Sequence, residues 1–231
     1  MDPRTRKALA WLDLGPILVS RPRAPASAPA TEVAAPDRSV AAPDRWVALQ
    51  HEVSQCTACE LSKSRRQTVF GVGPRTAPCM IIGEAPGAEE DARGEPFVGQ
   101  AGRLLDQMLA AIGLSRERDV FICNVLKCRP PGNRNPAPAE VAACAGFLQR
   151  QIDEVRPKVL FLLGSFAVRS ILVTDASVGS QRGKVHRRQF GAVELPIVVS
   201  YHPAYLLRNL PEKRKSWEDL LLLADQLAAE P

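Results

Sequence analysis

The sequence predicts an α/β fold, a three-layer α/β/α sandwich around a central, mostly parallel four-stranded sheet. Three observations lead there. Four short apolar runs, rich in β-branched residues, recur along the chain from Trp46 onwards. Segments of helical periodicity separate or follow them, and the runs end on glycine or polar residues. Short buried strands alternating with helices imply a sheet covered on both faces.

The elements can be taken in order. Pro78-Cys79-Met80-Ile81-Ile82-Gly83 reads as a buried strand ending at a glycine. Gly99 to Leu114 carries Leu104, Leu105, Met108, Leu109 and Ile112 at helical spacing. Val120 to Asn124 is a second strand and Ala139 to Val155 a second long helix. Lys158 to Gly164 and Ile197 to Ser200 supply two more strands, each followed by helix-like sequence. Ligands of such sheets bind in the crevice beyond the carboxyl ends of the strands. The segments to inspect are therefore Gly83 to Gly87, Asn124 to Lys127 and Tyr201 to Pro203.

Residues 1 to 45 stand apart from this pattern. Arg21 to Pro43 is built almost entirely from Pro, Ala, Arg and Ser, with two copies of Ala-Pro-Asp-Arg at 35–38 and 42–45. Too little apolar surface is available there to offset the entropy of ordering, so 1–45 is expected to be a flexible extension and 46–231 the folded domain. Ala8 to Val19 has the composition of a short docking helix, with an unstructured tail as the simpler reading. The chain's 231 residues carry a net charge of +5, compatible with a polyanionic partner. No apolar run reaches the roughly 18 residues of a membrane span, and no secretory signal is evident. A cytoplasmic protein that does not engage membranes is expected, and in that compartment disulfides rarely persist.

Six cysteines then call for another explanation. Cys56 and Cys59 form a C-x-x-C pair, whose spacing lets two thiolates reach one metal centre from a tight turn. Cys128 and Cys144 complete a set of four, which suits tetrahedral zinc or an iron–sulfur cube equally well. A redox C-x-x-C is disfavoured because the pair precedes the first strand and sits at no strand–helix junction. Cys79 and Cys123 lie inside apolar strands and read as small buried hydrophobes.

The strand-end segments carry a resemblance. Gly83-Glu84-Ala85-Pro86-Gly87-Ala88-Glu89-Glu90-Asp91 with Pro96-Phe97-Val98-Gly99 is similar to the first motif of the family 4 uracil-DNA glycosylases. Asn124 to Arg134 (NVLKCRPPGNR) and His202 to Arg208 (HPAYLLR) resemble the family's other two blocks, in the family's order. With the four cysteines they make a specific match from about Trp46 to the C-terminus. The resemblance implies a [4Fe–4S] cluster on Cys56, Cys59, Cys128 and Cys144. It also implies uracil-containing DNA as partner, and hydrolysis of the uracil–deoxyribose bond without lyase activity; a monomer is expected.

Cutting that bond requires the base outside the stack, at a cost of a few kcal/mol. Negative charge develops on the departing uracil and positive charge on the sugar, so donors to the base and an anion or water near the sugar both help. By resemblance Asn124 reads the uracil edge, His202 donates to the oxygen that accumulates charge, and Phe97 stacks on the base. Glu84 lies beside the sugar. Many relatives carry an Asp near this point; here Ala85 follows Glu84, which leaves the general base open. Glu90 and Asp91 either contribute or belong to a solvated acidic face. Gly83, Ala85 and Gly87 allow the backbone to approach the base or a phosphate closely. Leu206 is a candidate wedge and Arg208 a phosphate contact, as in minor-groove kinkers. Arg129, Arg134, Arg182, Lys184, Arg187 and Arg188 are further phosphate candidates.

Three other readings fit less well. A relative that traps the sugar covalently on a histidine would carry that residue in an Arg-rich loop before Cys144, but Cys128 to Cys144 contains no His. The similar Lys184-Val185-His186-Arg187-Arg188 stands elsewhere in the chain. A non-catalytic DNA-binding module is disfavoured by the joint presence of Glu84, Phe97, Asn124 and His202. A ferredoxin-like electron carrier would cluster its cysteines far more tightly than 56 to 144.

Overall fold

A computed structural model describes residues 44–229. The expected docking segment, Ala8 to Val19, and nearly all of the expected extension lie outside these residues. The last two positions of that extension, Asp44 and Arg45, belong to the first helix: Asp44 caps α1 (Arg45–Gln55) by accepting a hydrogen bond from the Trp46 amide.

One sheet organises the chain. Strands β1 (Cys79–Gly83), β2 (Val120–Asn124), β3 (Val159–Leu163) and β5 (Val193–Ser200) run parallel, in the order β2-β1-β3-β5. The expected four strands are all present, and a fifth adds to them. β4 (Val185–Phe190) pairs antiparallel with β5 and closes the sheet edge. Its sequence, VHRRQF, has no apolar run because only Phe190 is fully buried there, so the strand gave no signal at the sequence level.

Alternation along the strands splits the core in two. Met80, Ile82, Phe121, Cys123, Leu160, Leu162, Ile197 and Val199 face a layer built from α4 (Pro138–Val155) and α5 (Ser165–Leu172), with Trp46 of α1 against it. Cys79, Ile81, Val120, Ile122, Val159, Phe161 and Val198 face α3 (Gln100–Ala110), α7 (Pro203–Arg208) and α8 (Lys213–Ala228). Two short helices complete the set, α2 (Ala88–Arg93) and α6 (Val178–Gln181). Cys79 and Cys123 are fully buried in these two layers, as expected of packing residues.

No helix among the described residues is long and apolar enough to cross a membrane.

Candidate active site

The carboxyl ends of β1, β2, β3 and β5 open into one cleft of about 730 Å³, lined by Glu84, Ala85, Gly87, Phe97, Asn124, Gly164 and His202 among others. The parallel register sets its floor, because Gly83 and Asn124 are partners at the ends of β1 and β2. A Cβ on Gly83 would stand 2.4 Å from Asn124 Oδ1 and 2.7 Å from the Phe97 ring, so only glycine lets these two side chains meet there. Asn124 is 2% exposed, and its Nδ2 is buried with no hydrogen-bond partner among the described residues. A buried amide donor left open costs about 1–3 kcal/mol.

Beside them the Phe97 and His202 rings are stacked with centroids 5.4 Å apart. His202 is the N-cap of α7, and its Nδ1 accepts a hydrogen bond from the Ala204 amide. Burial, reinforced by the Arg208 charge and opposed by Glu90, pulls the imidazole pKa down to about 4. The ring is therefore neutral at ordinary pH, and with Nδ1 accepting, the proton sits on Nε2. That makes His202 a donor through Nε2.

Two carboxylates reach the cleft, and their situations differ. Glu90 is consumed by the backbone: Oε2 accepts from the Gly87 amide, and Oε1 from the Val98 and Gly99 amides, each at 3.1 Å. Asp91 is 3% exposed and accepts from the Arg66 amide. Neither belongs to a solvated acidic face. The Glu84 carboxylate makes no hydrogen bond among the described residues, and partial burial raises its pKa above the ordinary carboxylate value. Glu84 is thus the carboxylate with free oxygens.

The four cysteines come together away from this cleft. Cys56, Cys59, Cys128 and Cys144 line one small cavity with Val53, Phe147 and Arg65. All are free thiols. Among the described residues no three His, Cys, Asp or Glu side chains are arranged to hold a single metal ion. Two donors are aimed at the sulfurs: Arg65 Nη1 lies 3.1 Å from Cys128 Sγ and the Lys127 amide 3.4 Å from Cys144 Sγ. Burial pushes the Cys128 thiol up to about 11, against the pull of Arg65.

Comparisons with known proteins identify the family. The family model for the Uracil DNA glycosylase superfamily matches residues 70–221. A type-4 uracil-DNA glycosylase of Archaeoglobus fulgidus is 44% identical over 171 residues, 72% of this chain and 85% of the relative. Type-4 enzymes of Saccharolobus solfataricus (41% identical, 78% of this chain and 85% of the relative) and Thermotoga maritima (44%, 70% and 82%) match similarly. The chain belongs to the type-4 uracil-DNA glycosylase family.

For a type-4 glycosylase chain the DNA-facing candidates sort unevenly. Leu206 is 1% exposed and packs in the core between α3 and α8, so it is no wedge: the first turn of α7 turns it inward, while Tyr205 is the side chain exposed at the cleft. Arg208 is exposed at the cleft rim with no ion-pair partner among the described residues. Arg134 also lines the cleft, but it is bound to Glu140 through both terminal nitrogens, at 3.0 and 2.5 Å. Lys184 is exposed beside β4 and does not line the cleft. Arg182 is structural, tied to Asp219, Glu218 and the Lys215 carbonyl. Arg187 pairs with Glu194, Arg188 lies over Phe190, and Arg129 is bonded to Asn133. Sequence reasoning missed Arg116 and Lys127: Arg116 lies in an unpatterned connection, and Lys127 reads as an ordinary charged residue until its burial is seen.

Proposed function

We propose that the chain excises uracil from DNA by hydrolysing the N-glycosidic bond, taking the flipped base into the cleft between Glu84, Phe97, Asn124 and His202. The observation that carries this reading is the buried Asn124 Nδ2 without a partner, facing the same cleft as the neutral His202. Among the described residues only Glu212 Oε2 shares this state, and Asn124 is the one of the two that lines the cleft, which marks a place kept for a ligand. Uracil supplies matching groups, two carbonyl oxygens and an N3–H, to an amide that can both donate and accept.

In this reading Phe97 covers a face of the base, Asn124 pairs with its edge, and His202 Nε2–H donates to the carbonyl oxygen on which charge develops. The N1–C1′ bond breaks with its electron pair leaving on uracil. Glu84 faces the cationic sugar and orients the water whose oxygen bonds to C1′, and the water's proton passes to the carboxylate or to solvent. The proton that completes free uracil comes from solvent. A neutral His202 serves this step well, since a hydrogen bond to the developing anion needs no prior ionisation of the ring.

Cys56, Cys59, Cys128 and Cys144 would hold a [4Fe–4S] cluster. Its part is structural, joining residues 56–59 to the 128–144 segment, and no step of the hydrolysis runs through it. The choice of a cluster over zinc rests on the likeness to the type-4 family, and the Arg65 and Lys127 donors to sulfur suit a group held by thiolates.

The test is release of free uracil from a single-stranded oligonucleotide by protein whose visible spectrum shows the iron–sulfur chromophore. Release with an abasic product supports the reading. An intact oligonucleotide, or a covalent protein–DNA band on a denaturing gel, refutes it.

A further inference from the structure

Phe97 has φ = +54°, in the left-handed region that a bulky aromatic side chain seldom occupies. Such a conformation costs on the order of 1–3 kcal/mol and persists only where neighbours over-determine it. The neighbours are identifiable. Arg116 Nη1 donates to the Pro96 carbonyl and Nη2 to the Phe97 carbonyl, both at 2.8 Å. Its Nε and Nη2 also reach Asp106 Oδ1 at 3.0 and 2.8 Å, which aims the guanidinium. On the far side of Phe97, Glu90 accepts the next two amides, those of Val98 and Gly99. Beneath it, a Cβ on Gly102 would stand 1.7 Å from the Phe97 carbonyl oxygen, so α3 is pressed directly against this turn.

The arrangement is a clamp. The carbonyls of the strained residue and of the one before it are held by a cation, the two amides after it by an anion, and the ring is aimed at His202. From it we infer that Arg116 is a positioning residue for base excision: it touches no cleft surface itself and acts by fixing where the Phe97 ring stands. This rests on the proposed function. Neither Arg116 nor Asp106 lines the cleft, so an effect of changing them on substrate must travel through the Phe97 turn. Arg116 is largely buried, with 15% of its side chain exposed, while Asp106 is 45% exposed. The lever thus reaches from solvent to the turn.

A flipped base pressed against a displaced ring is misaligned with Asn124 and His202, and a displacement of about 1 Å costs roughly 10²-fold in rate. Arg116 and Asp106 do not line the cleft, so their replacement should spare affinity for the DNA backbone. The inference therefore separates two readouts that a general folding defect moves together.

The experiment compares wild type, Arg116→Met, Arg116→Lys and Asp106→Asn, all carrying the chromophore. Two quantities are measured for each: single-turnover uracil excision and affinity for abasic-site DNA. The expected result is a rate loss approaching 10²-fold in Arg116→Met, with affinity for the abasic product within about twofold of wild type. Arg116→Lys keeps the charge but cannot span both carbonyls, and falls between the two. Asp106→Asn, which leaves every clamp donor in place, loses least. Excision by Arg116→Met within twofold of wild type overturns the inference, and so does a rate loss matched by equal loss of abasic-site affinity and chromophore. If Arg116→Met does not fold, Arg116→Lys decides on the same two readouts, and a wild-type rate there overturns the inference. Failure of wild type to release uracil would instead sink the proposed function, and is read separately.

Discussion

The protonation of His202 gives the sharpest test of the proposed chemistry. An imidazole with an ordinary pKa near 6.5 is only about 10% neutral at pH 5.5. With its pKa held down to about 4, His202 is about 97% neutral at that pH, so it loses almost nothing as a donor. Glu84 behaves oppositely: burial raises its pKa, so its carboxylate is the first of the two groups to be lost on acidification. The acid limb of the wild-type rate profile should therefore belong to Glu84. In Glu84→Gln the slow residual excision should stay flat from pH 8 to about 5, and imidazole NMR signals of His202 should not titrate in that range. Stability follows the same sign. The folded-state pKa of His202 lies below the unfolded one, so the unfolded chain takes up the proton first, and this group's contribution is lost as pH falls from about 6.5 towards 4. Single-turnover rates across this range provide the assay. A tenfold fall in the residual rate of Glu84→Gln between pH 7 and 5.5, or an imidazole titrating near 6.5, refutes both the burial argument and the assignment of Nε2–H as a standing donor.

Two further outcomes follow from the cleft. Asn124→Ala removes a side-chain amide that makes no hydrogen bond in the free protein, so its thermal midpoint should change by only a few degrees while excision falls about 10²–10³-fold, the scale of losing one preorganised donor; a strong loss of stability with little loss of rate would show the amide to be structural. Arg208 is unpaired at the rim whereas Arg134 is held by Glu140, so Arg208→Ala should reduce the slope of log affinity against log salt by about one and Arg134→Ala should leave it unchanged; equal slopes for both variants would contradict the distinction.

Much of this was legible in the chain because the informative residues sit where sheet physics puts them. β1, β2, β3 and the Ile197–Ser200 end of β5 are buried on both faces and read as apolar runs, and the residues at their carboxyl ends line the crevice. Gly83, Glu84, Asn124 and His202 could therefore be placed before any coordinates. What stayed hidden depended on partners far away in sequence. β4 is polar because its outer edge is exposed, so only its pairing with β5 identifies it. Leu206 could be read as a wedge because spacing in a six-residue helix does not say which side faces the core. The fates of Glu90 and Arg134 were set by particular amides and by Glu140, which no local pattern announces.

One link between the cysteine cavity and the cleft runs through Lys127. Lys127 is 1% exposed, and its ammonium is bonded to the Asn124 carbonyl at 2.7 Å and to Gln151 Oε1 at 2.6 Å. Its own amide points at Cys144 Sγ, and its carbonyl accepts from the Val69 amide. A buried cation is tolerated only where it is well bonded, so this one fixes the turn between Asn124 and Cys128 as a unit. His202 is held independently, by the start of α7 and by Gly164 packed behind its Cβ at the end of β3. Disturbing the cysteine cage should then loosen the two halves of the pocket unequally. In Cys144→Ala, amide hydrogen exchange should speed up across residues 124–128 while 200–206 keep their protection, and excision should fall with them. Equal loosening of both segments would mean that the cage supports the whole domain. No loosening at Asn124 would mean that Lys127 holds the turn without it.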